Sequence, residues 1–263
     1  MVRAVMRDVW DAGESYEAYV GRWSRRVAEV FVSWLAAGPA VRWLDVGCGT
    51  GALTAAVLDG EDPGQVLGVD RSVPFLADAG RRTADPRAVF AAGDAMALPV
   101  PDGRFEAVIS GLALNFVPDA GRAAAEMARS AAAGAVVAAY VWDYAGGMAM
   151  MRHFWDAARE VDPAAAKHDE AGRFPLCRPD ALWALWQTAG LRDVDTRLIE
   201  IPTRFAGFDD FWRPFLGGQG PAPAYLMSLP EEQRNAVRDV LRARLPDEAL
   251  AMTASAWAVR GVR

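Results

Sequence analysis

From Tyr16 to Leu35 the apolar side chains return every three or four residues: Tyr16, Tyr19, Val20, Trp23, Val27, Val30, Phe31, Trp34 and Leu35. That spacing predicts a helical stripe, which Gly38-Pro39 ends. The rhythm then shortens. Residues 41–46, Val-Arg-Trp-Leu-Asp-Val, form a compact apolar run of strand length, and a glycine turn follows. Onward, the pattern predicts helix at 52–58, strand at 65–69 ending on Asp70, helix at 72–82 and strand at 87–92. Strand 105–110, helix 118–132 and strand 135–142 complete this half. Strands alternating with helices build βαβ units, and therefore a parallel sheet with right-handed crossovers. The strands are nearly continuous apolar runs, as strands covered on both faces are.

The second half reads differently. Helices are expected at 148–161 and 179–189, and a strand at 194–201. Residues 208–217 are aromatic and irregular, 230–245 form a charged amphipathic helix, and 251–262 a final strand. The stretch 202–246 separates the last two strands and reads as a lid inserted between them. The predicted organisation is an N-terminal helical cover at 1–40, a core at 41–201 and 247–263, and a lid at 202–246.

Composition narrows the class. A length of 263 residues suits one α/β domain, or a core with a modest lid. An apolar share of 52% and a charged share of 24% exclude a disordered or fibrous chain. The net charge of −6 and the lack of a Lys/Arg block argue against a nucleic-acid partner. Arg25-Arg26 and Arg81-Arg82 fall on helices, where solvated faces explain them. Two cysteines, Cys48 and Cys177, cannot build a disulfide framework or a four-ligand zinc site, so no metal is expected. The first ten residues lack a signal-peptide core, and the longest apolar run, 131–142, is too short to cross a bilayer. The expectation is a cytoplasmic protein without a membrane partner.

The chemistry gathers at strand ends. Leu44-Asp-Val-Gly-Cys-Gly-Thr-Gly51 places an acidic residue and three alternating glycines where the first strand turns into a helix. Glycine permits positive φ and close approach of backbone to ligand, and this turn borders the crevice where open α/β sheets bind ligands. A dinucleotide fingerprint needs its third glycine one residue later, where this chain has Ala52, a tolerated substitute. Asp45, aimed at the ligand mouth, would repel a pyrophosphate and suit a cationic ammonium or sulfonium ligand. Asp70, ending the second strand, stands where a ribose-binding acid is expected. After the third strand, Asp94 can accept from an adenine amine while Met96 packs on the ring.

These residues carry a resemblance. LDVGCGTG at 44–51, GVD at 68–70 and GDAMALPVPDGRFEAVIS at 93–110 resemble class I S-adenosylmethionine-dependent methyltransferases of the small-molecule "type 11" or ubiquinone-biosynthesis-like group. The resemblance spans roughly residues 41–142. It implies an α/β, doubly wound, Rossmann-like, mostly parallel seven-stranded sheet with an antiparallel last strand, and a helical lid between the last two strands. It implies S-adenosyl-L-methionine as cofactor. Gly47, Cys48, Gly49, Thr50 and Gly51 would pass under its methionine part, and Asp45 would help fix that turn. Asp70 would hold the ribose with Arg71 beside it, and Asp94, Ala95 and Met96 the adenine. The backbone carbonyl of Ser110 would take the ammonium, and Tyr16, Tyr19 or Arg22 would meet the methionine end. Two features depart from the group: Phe105-Glu106 in place of Phe-Asp, and Ala131-Ala-Ala-Gly134 in place of a proline-glycine turn.

The implied reaction is in-line methyl transfer to a small-molecule acceptor, apolar or aromatic, and it requires no fixed catalytic constellation. Trp142, Asp143, Tyr144, His153, Phe211 and Trp212 are the candidate acceptor residues, while the lid aromatics read more readily as packing. His168 lies in a polar Lys-His-Asp-Glu stretch and reads as solvated; Cys48 reads as a space-filler. Two other classes stay open. One is a non-catalytic S-adenosylmethionine- or nucleotide-binding protein on the same fold. The other is a nicotinamide-dependent oxidoreductase, which Asp45 and the glycine spacing disfavour.

Overall fold

The computed structural model describes residues 21–35, 37, 42–218 and 220–263. Among the described residues seven strands are present: β1 (Arg42–Val46), β2 (Gln65–Asp70), β3 (Ala88–Ala92), β4 (Phe105–Gly111), β5 (Ala131–Trp142), β6 (Arg192–Phe205) and β7 (Leu250–Val262). The α-helices among the described residues are α1 (Arg22–Leu35), α2 (Ala52–Gly60), α3 (Val73–Arg82), α4 (Ala120–Ser130), α5 (Ala149–Val161), α6 (Glu170–Arg173), α7 (Pro179–Thr188), α8 (Phe208–Trp212), α9 (Pro221–Ser228) and α10 (Glu231–Arg244).

The strands form one sheet in the order β3-β2-β1-β4-β5-β7-β6. β1 pairs in parallel with β2 and β4, β2 with β3, and β4 with β5. β7 runs antiparallel to β5. The order reverses between β1 and β4, which makes their carboxyl ends the switch point of a doubly wound sheet. The expected sheet is therefore present, with its last strand antiparallel.

The chain packs as two units. The larger comprises Trp23–Asp143, Phe174–Ile201 and Ser255–Arg263. Its core is made of the apolar runs read from the sequence: Trp43, Leu44, Val66, Val108, Ile109, Val137 and Val141 are inaccessible to solvent. Helix α1 buries its periodic face, with Phe31 at 4.6 Å from the Tyr140 ring of β5. Ser72 caps α3 and Asp119 caps α4, each accepting from the backbone N–H three residues on. On α7, the buried Trp186 donates its indole N–H to the Val137 carbonyl at 2.9 Å.

Among the described residues, the second unit comprises 21–22, Tyr144–Arg173 and Pro202–Ala254. Helices α9 and α10 pack on α5. Phe154 of α5 stacks on Phe215 with centroids 4.6 Å apart and planes within 13°. Glu231 and Glu232 open α10 and Arg242 and Arg244 close it, complementing the helix dipole at both ends.

Three boundaries differ from the expectations. Helix 118–132 stops at Ser130 and β5 begins at Ala131, because Ala131 pairs with Phe105 across a register shift. Alanine is content in either state, so pairing decides. The strand expected at 194–201 runs on to Phe205. The irregular stretch 208–217 is α8 followed by a 3-10 turn, Arg213–Gly217, with Phe208, Phe211 and Phe215 wholly enclosed.

Candidate cofactor and acceptor site

The turn after β1 uses its three glycines for three reasons. All have positive φ: 73° at Gly47, 52° at Gly49 and 86° at Gly51. A side chain on Gly47 would lie 2.5 Å from Ala113 Cβ, so the loop after β4 closes that side. Gly51 is hemmed by Ala79 and Thr83 of the α3 end, each at 3.3 Å. A side chain on Gly49 would meet nothing within 4 Å, so the turn is open on that side, while the Gly49 N–H is taken by Asp70. The Val69 carbonyl holds the turn by accepting from the Gly47 N–H at 2.7 Å and the Cys48 N–H at 3.1 Å.

Asp45 requires correction. It does not face an open ligand mouth: its side chain is wholly buried, and one oxygen accepts from the Thr54 hydroxyl of α2 at 2.7 Å. The other, Oδ1, is buried with no hydrogen-bond partner. Burial pushes its pKa up to about 7, with Asp70 adding to the shift and Thr54 opposing it. Asp45 ties β1 to α2 around the turn. Its like-charge repulsion of a pyrophosphate therefore loses force. Cys48 is buried too, and burial pushes its thiol up, as befits a space-filler. Its Sγ would stand 2.9 Å from a side chain on Gly68, which explains that glycine in β2.

Asp70 is half-buried and already employed. Oδ2 accepts from the Gly49 N–H at 2.9 Å and Oδ1 from the Ser72 N–H at 2.8 Å. One carboxylate thus joins the glycine turn to the start of α3, and each oxygen keeps a lone pair for a ligand. Thr50 is buried and Arg71 exposed. In the next loop Asp94 Oδ1 accepts from the Met96 N–H at 2.8 Å, and its side chain is otherwise exposed to solvent beside the half-buried Ala95 and Met96. Helix α4 holds this loop: Arg122 donates to the Met96 carbonyl at 2.8 Å, Arg129 to the Val100 carbonyl at 2.9 Å, and Glu126 accepts from the Leu98 N–H at 2.8 Å. Sequence reasoning missed these three; their helical spacing on one face was the available signal.

At the end of β4, the buried Ser110 donates to the Val46 carbonyl at 2.7 Å, clasping β4 to β1 just before the turn. Leu112 follows at φ 58°, an uncommon conformation for leucine, and its N–H donates to the Tyr140 carbonyl at 2.8 Å. Asn115 also went unremarked as a candidate: its Nδ2 is buried without a partner. Asp45, Gly47–Gly51, Asp70, Asp94–Met96 and Ser110 therefore come together at the carboxyl ends of β1 to β4.

The acceptor candidates divide between the units. In the larger, Trp142 is buried and pairs with Ala256, and the Asp143 N–H donates to the Ser255 carbonyl at 2.9 Å. In the second, Tyr144 is buried, and His153 is half-buried, its pKa lowered mainly by burial. Phe211 lies 5.5 Å from Phe205 and 5.6 Å from Phe215, and Trp212 stacks on Phe208 at 6.4 Å. Those contacts are a packed aromatic core. Arg22 pairs with Asp210 at 3.3 Å and lies 4.9 Å over the Phe205 ring. Tyr16 and Tyr19 lie outside the described residues. His168 is not solvated as expected, although Lys167 before it is exposed. His168 is half-buried against Tyr225, Asp169 is buried in ion pairs with Arg152 and Arg159, and Glu170 is wholly enclosed. Partners on α5 and α9, distant in sequence, create that burial.

Comparisons agree with this geometry. A methyltransferase-domain family matches residues 44–139. A demethylmenaquinone methyltransferase of Roseiflexus sp. strain RS-1 is 33% identical over 180 residues, covering 64% of this chain and 75% of that protein. The YcgJ protein of Bacillus subtilis shares the fold, with a TM-score of 0.59 at 16% identity, covering 90% and 98% of the two chains. So does phosphoethanolamine N-methyltransferase 2 of Haemonchus contortus, solved with phosphomonomethylethanolamine and S-adenosylhomocysteine. Its TM-score is 0.59 at 15% identity, covering 95% of this chain and 56% of that one. The chain belongs to the class I S-adenosylmethionine-dependent methyltransferases of the ubiquinone and menaquinone type; its cofactor is S-adenosylmethionine, and it transfers methyl to a small-molecule acceptor.

Proposed function

We propose that the turn after β1, Asp70 and the Asp94 loop hold S-adenosylmethionine, and that the acceptor is a hydroxylated aromatic ring of the quinol kind. The observation that carries the first part is the succession of groups at three neighbouring strand ends. Gly49 leaves open space on its side-chain face, Asp70 offers spare lone pairs, and Asp94 stands exposed beside Met96. These residues fit the cofactor: Gly47–Gly51 with Cys48 and Thr50 under the methionine part, Asp70 and Arg71 at the ribose, Asp94 to Met96 at the adenine. The Ser110 carbonyl serves the methionine end. When bound, S-adenosylmethionine supplies a methyl group on a positively charged sulfur, a leaving group already activated. The protein's own task is to align the acceptor and exclude water.

The demethylmenaquinone methyltransferase relative supports a quinol acceptor. The net charge of −6 speaks against nucleic acid, and two free, buried cysteines suit the reducing cytoplasm. Calorimetric titration with S-adenosylmethionine, S-adenosylhomocysteine and NAD tests the assignment, followed by a turnover assay with 1,4-dihydroxynaphthalene. Micromolar binding of both adenosyl ligands, no binding of NAD, and a methylated naphthalenediol are expected. Folded, ligand-free protein that binds neither adenosyl ligand overturns the site, and absence of methylated product overturns the acceptor class.

A further inference from the structure

β6 ends the sheet. Its neighbour in the strand order is β7, and among the described residues no strand pairs with its outer edge. β3, at the opposite end, is five residues long, and so short an edge offers little backbone to another chain. β6 is 14 residues long, and its stretch 192–201 lies in the larger unit. An edge of that length presents a row of unpaired N–H and C=O groups, a template for a further strand. Its side chains leave it accessible. Leu198 is 41% exposed, Val194 and Thr196 are half-buried, and Arg197 is exposed. Arg197 makes no hydrogen bond or ion pair among the described residues. Asp195 lies 3.5 Å from Arg260 of β7, yet its side chain remains 55% exposed.

Charge decides what such an edge accepts. A single sign along it would repel a second copy. β6 instead reads Val194-Asp-Thr-Arg-Leu198, with opposite signs on either side of Thr196. Two copies laid antiparallel, Thr196 against Thr196, set Asp195 of each opposite Arg197 of the other and Val194 opposite Leu198. Twofold symmetry makes both contacts twice, as an isologous interface requires. Opposite charges directly across an antiparallel pair stabilise it, and like charges destabilise it. Other registers lose the match. Centring on Asp195 brings Asp193 opposite Arg197, but Asp193 has φ 50° and leaves the extended conformation there. Centring on Arg197 sets Asp195 against the buried Ile199. A slip of one residue turns every side chain to the other face and sets Asp195 against Leu198.

We propose that the outer edge of β6 is an interaction surface for a second copy of this chain. The two β6 strands pair antiparallel about a twofold axis at Thr196 and join the two sheets into one. Asp195 and Arg197 fix the register, and Val194 with Leu198 supplies the apolar contact. This surface is independent of the cofactor and acceptor assignments above.

The test is sedimentation equilibrium of the full chain over a range of concentrations. Wild type is expected to associate to twice the mass of one chain. Arg197→Glu sets an acid opposite Asp195, and Asp195→Lys sets a lysine opposite Arg197. Each is expected to raise the dimer dissociation constant at least tenfold, with an unchanged circular dichroism spectrum and S-adenosylmethionine affinity. Mixing the two variants restores opposite charges at both contacts, but only in the mixed dimer, so the mixture is expected to regain the dimer that each variant alone has lost. A general loss of structure would not give that recovery. Leu198→Asp touches neither charge and is expected to weaken the dimer at least tenfold as well; it decides the matter if Asp195→Lys, beside Arg260, fails to fold. Wild type that stays monomeric at every concentration overturns the proposal. So does a dimer that Arg197→Glu and Leu198→Asp leave intact, or a mixture of folded charge variants that stays monomeric.

Discussion

Asp45 and Asp70 stand at the ends of adjacent parallel strands, yet they do different work because one is enclosed and the other is not. Asp45 faces Thr54 and braces a helix. Asp70 spends one lone pair of each oxygen on Gly49 and Ser72 and retains the others for a ligand. Removing the Asp70 carboxylate therefore costs ligand bonds and loosens the turn together. Asp70→Ala is expected to weaken S-adenosylmethionine binding by about 1–3 kcal/mol, the scale of a lost hydrogen-bonding partner. Calorimetry reads this directly, and wild-type affinity in the variant removes the ribose assignment. Glu106 shows the same logic at a departure from the family pattern. Its longer side chain reaches the neighbouring strand, where the carboxylate accepts from the Arg42 backbone N–H at 2.7 Å and its Nε at 3.0 Å.

At the scale of elements, the turn between β1 and α2 separates structural from ligand-facing glycines. Gly47→Ala puts a methyl 2.5 Å from Ala113 Cβ at a φ of 73°. Overpacking and left-handed strain together are expected to cost about 2–5 kcal/mol of stability. Gly49→Ala meets no neighbour, so only the strain of its φ, about 1–2 kcal/mol, burdens the fold. With the cofactor on the turn as proposed, that methyl stands in its path, so Gly49→Ala is expected to stay folded and lose cofactor affinity at least tenfold. Urea unfolding and calorimetry on both variants decide it; a Gly49→Ala protein that binds normally moves the cofactor off the turn. The glycine turn and the strands were legible because their signals are local: an apolar run, an acid, then alternating glycines. The start of β5 was not, since Ala131 takes its state from Phe105 across the sheet. Nor was the enclosure of Asp45 and Glu170. A carboxylate reads as exposed until Thr54 in one case, and Trp155 and Tyr225 in the other, close over it from elsewhere in the chain.

For the whole molecule these carboxyls set opposing pH trends. Hydrogen bonds from Arg42 hold Glu106 down to about 2, and Arg87 holds Asp85 down to about 2. A lowered carboxyl stabilises the fold above its ordinary pKa near 4 and loses that contribution as pH falls through 2. Both pairs are open to solvent and screened by it, so each contributes little. Asp45 and Glu170 act in the other direction. Burial raises both to about 7, so the folded chain keeps protons that the unfolded chain releases near pH 4. Their contribution is complete below about pH 4 and disappears as pH rises through 7. Each shift is on the order of 3 units, hence up to ~4 kcal/mol per site, and these buried groups outweigh the exposed pairs. The ligand-free protein is therefore expected to be most stable near pH 4–5 and to lose stability steadily toward pH 8. Asp45→Asn keeps an acceptor for Thr54, and Glu170→Gln keeps one for Trp155. Combining them is expected to flatten the loss between pH 5 and pH 8. Urea unfolding of wild type and the double variant at those two values measures it. A double variant that loses as much stability as wild type would show that both carboxyls titrate at ordinary values in the folded protein.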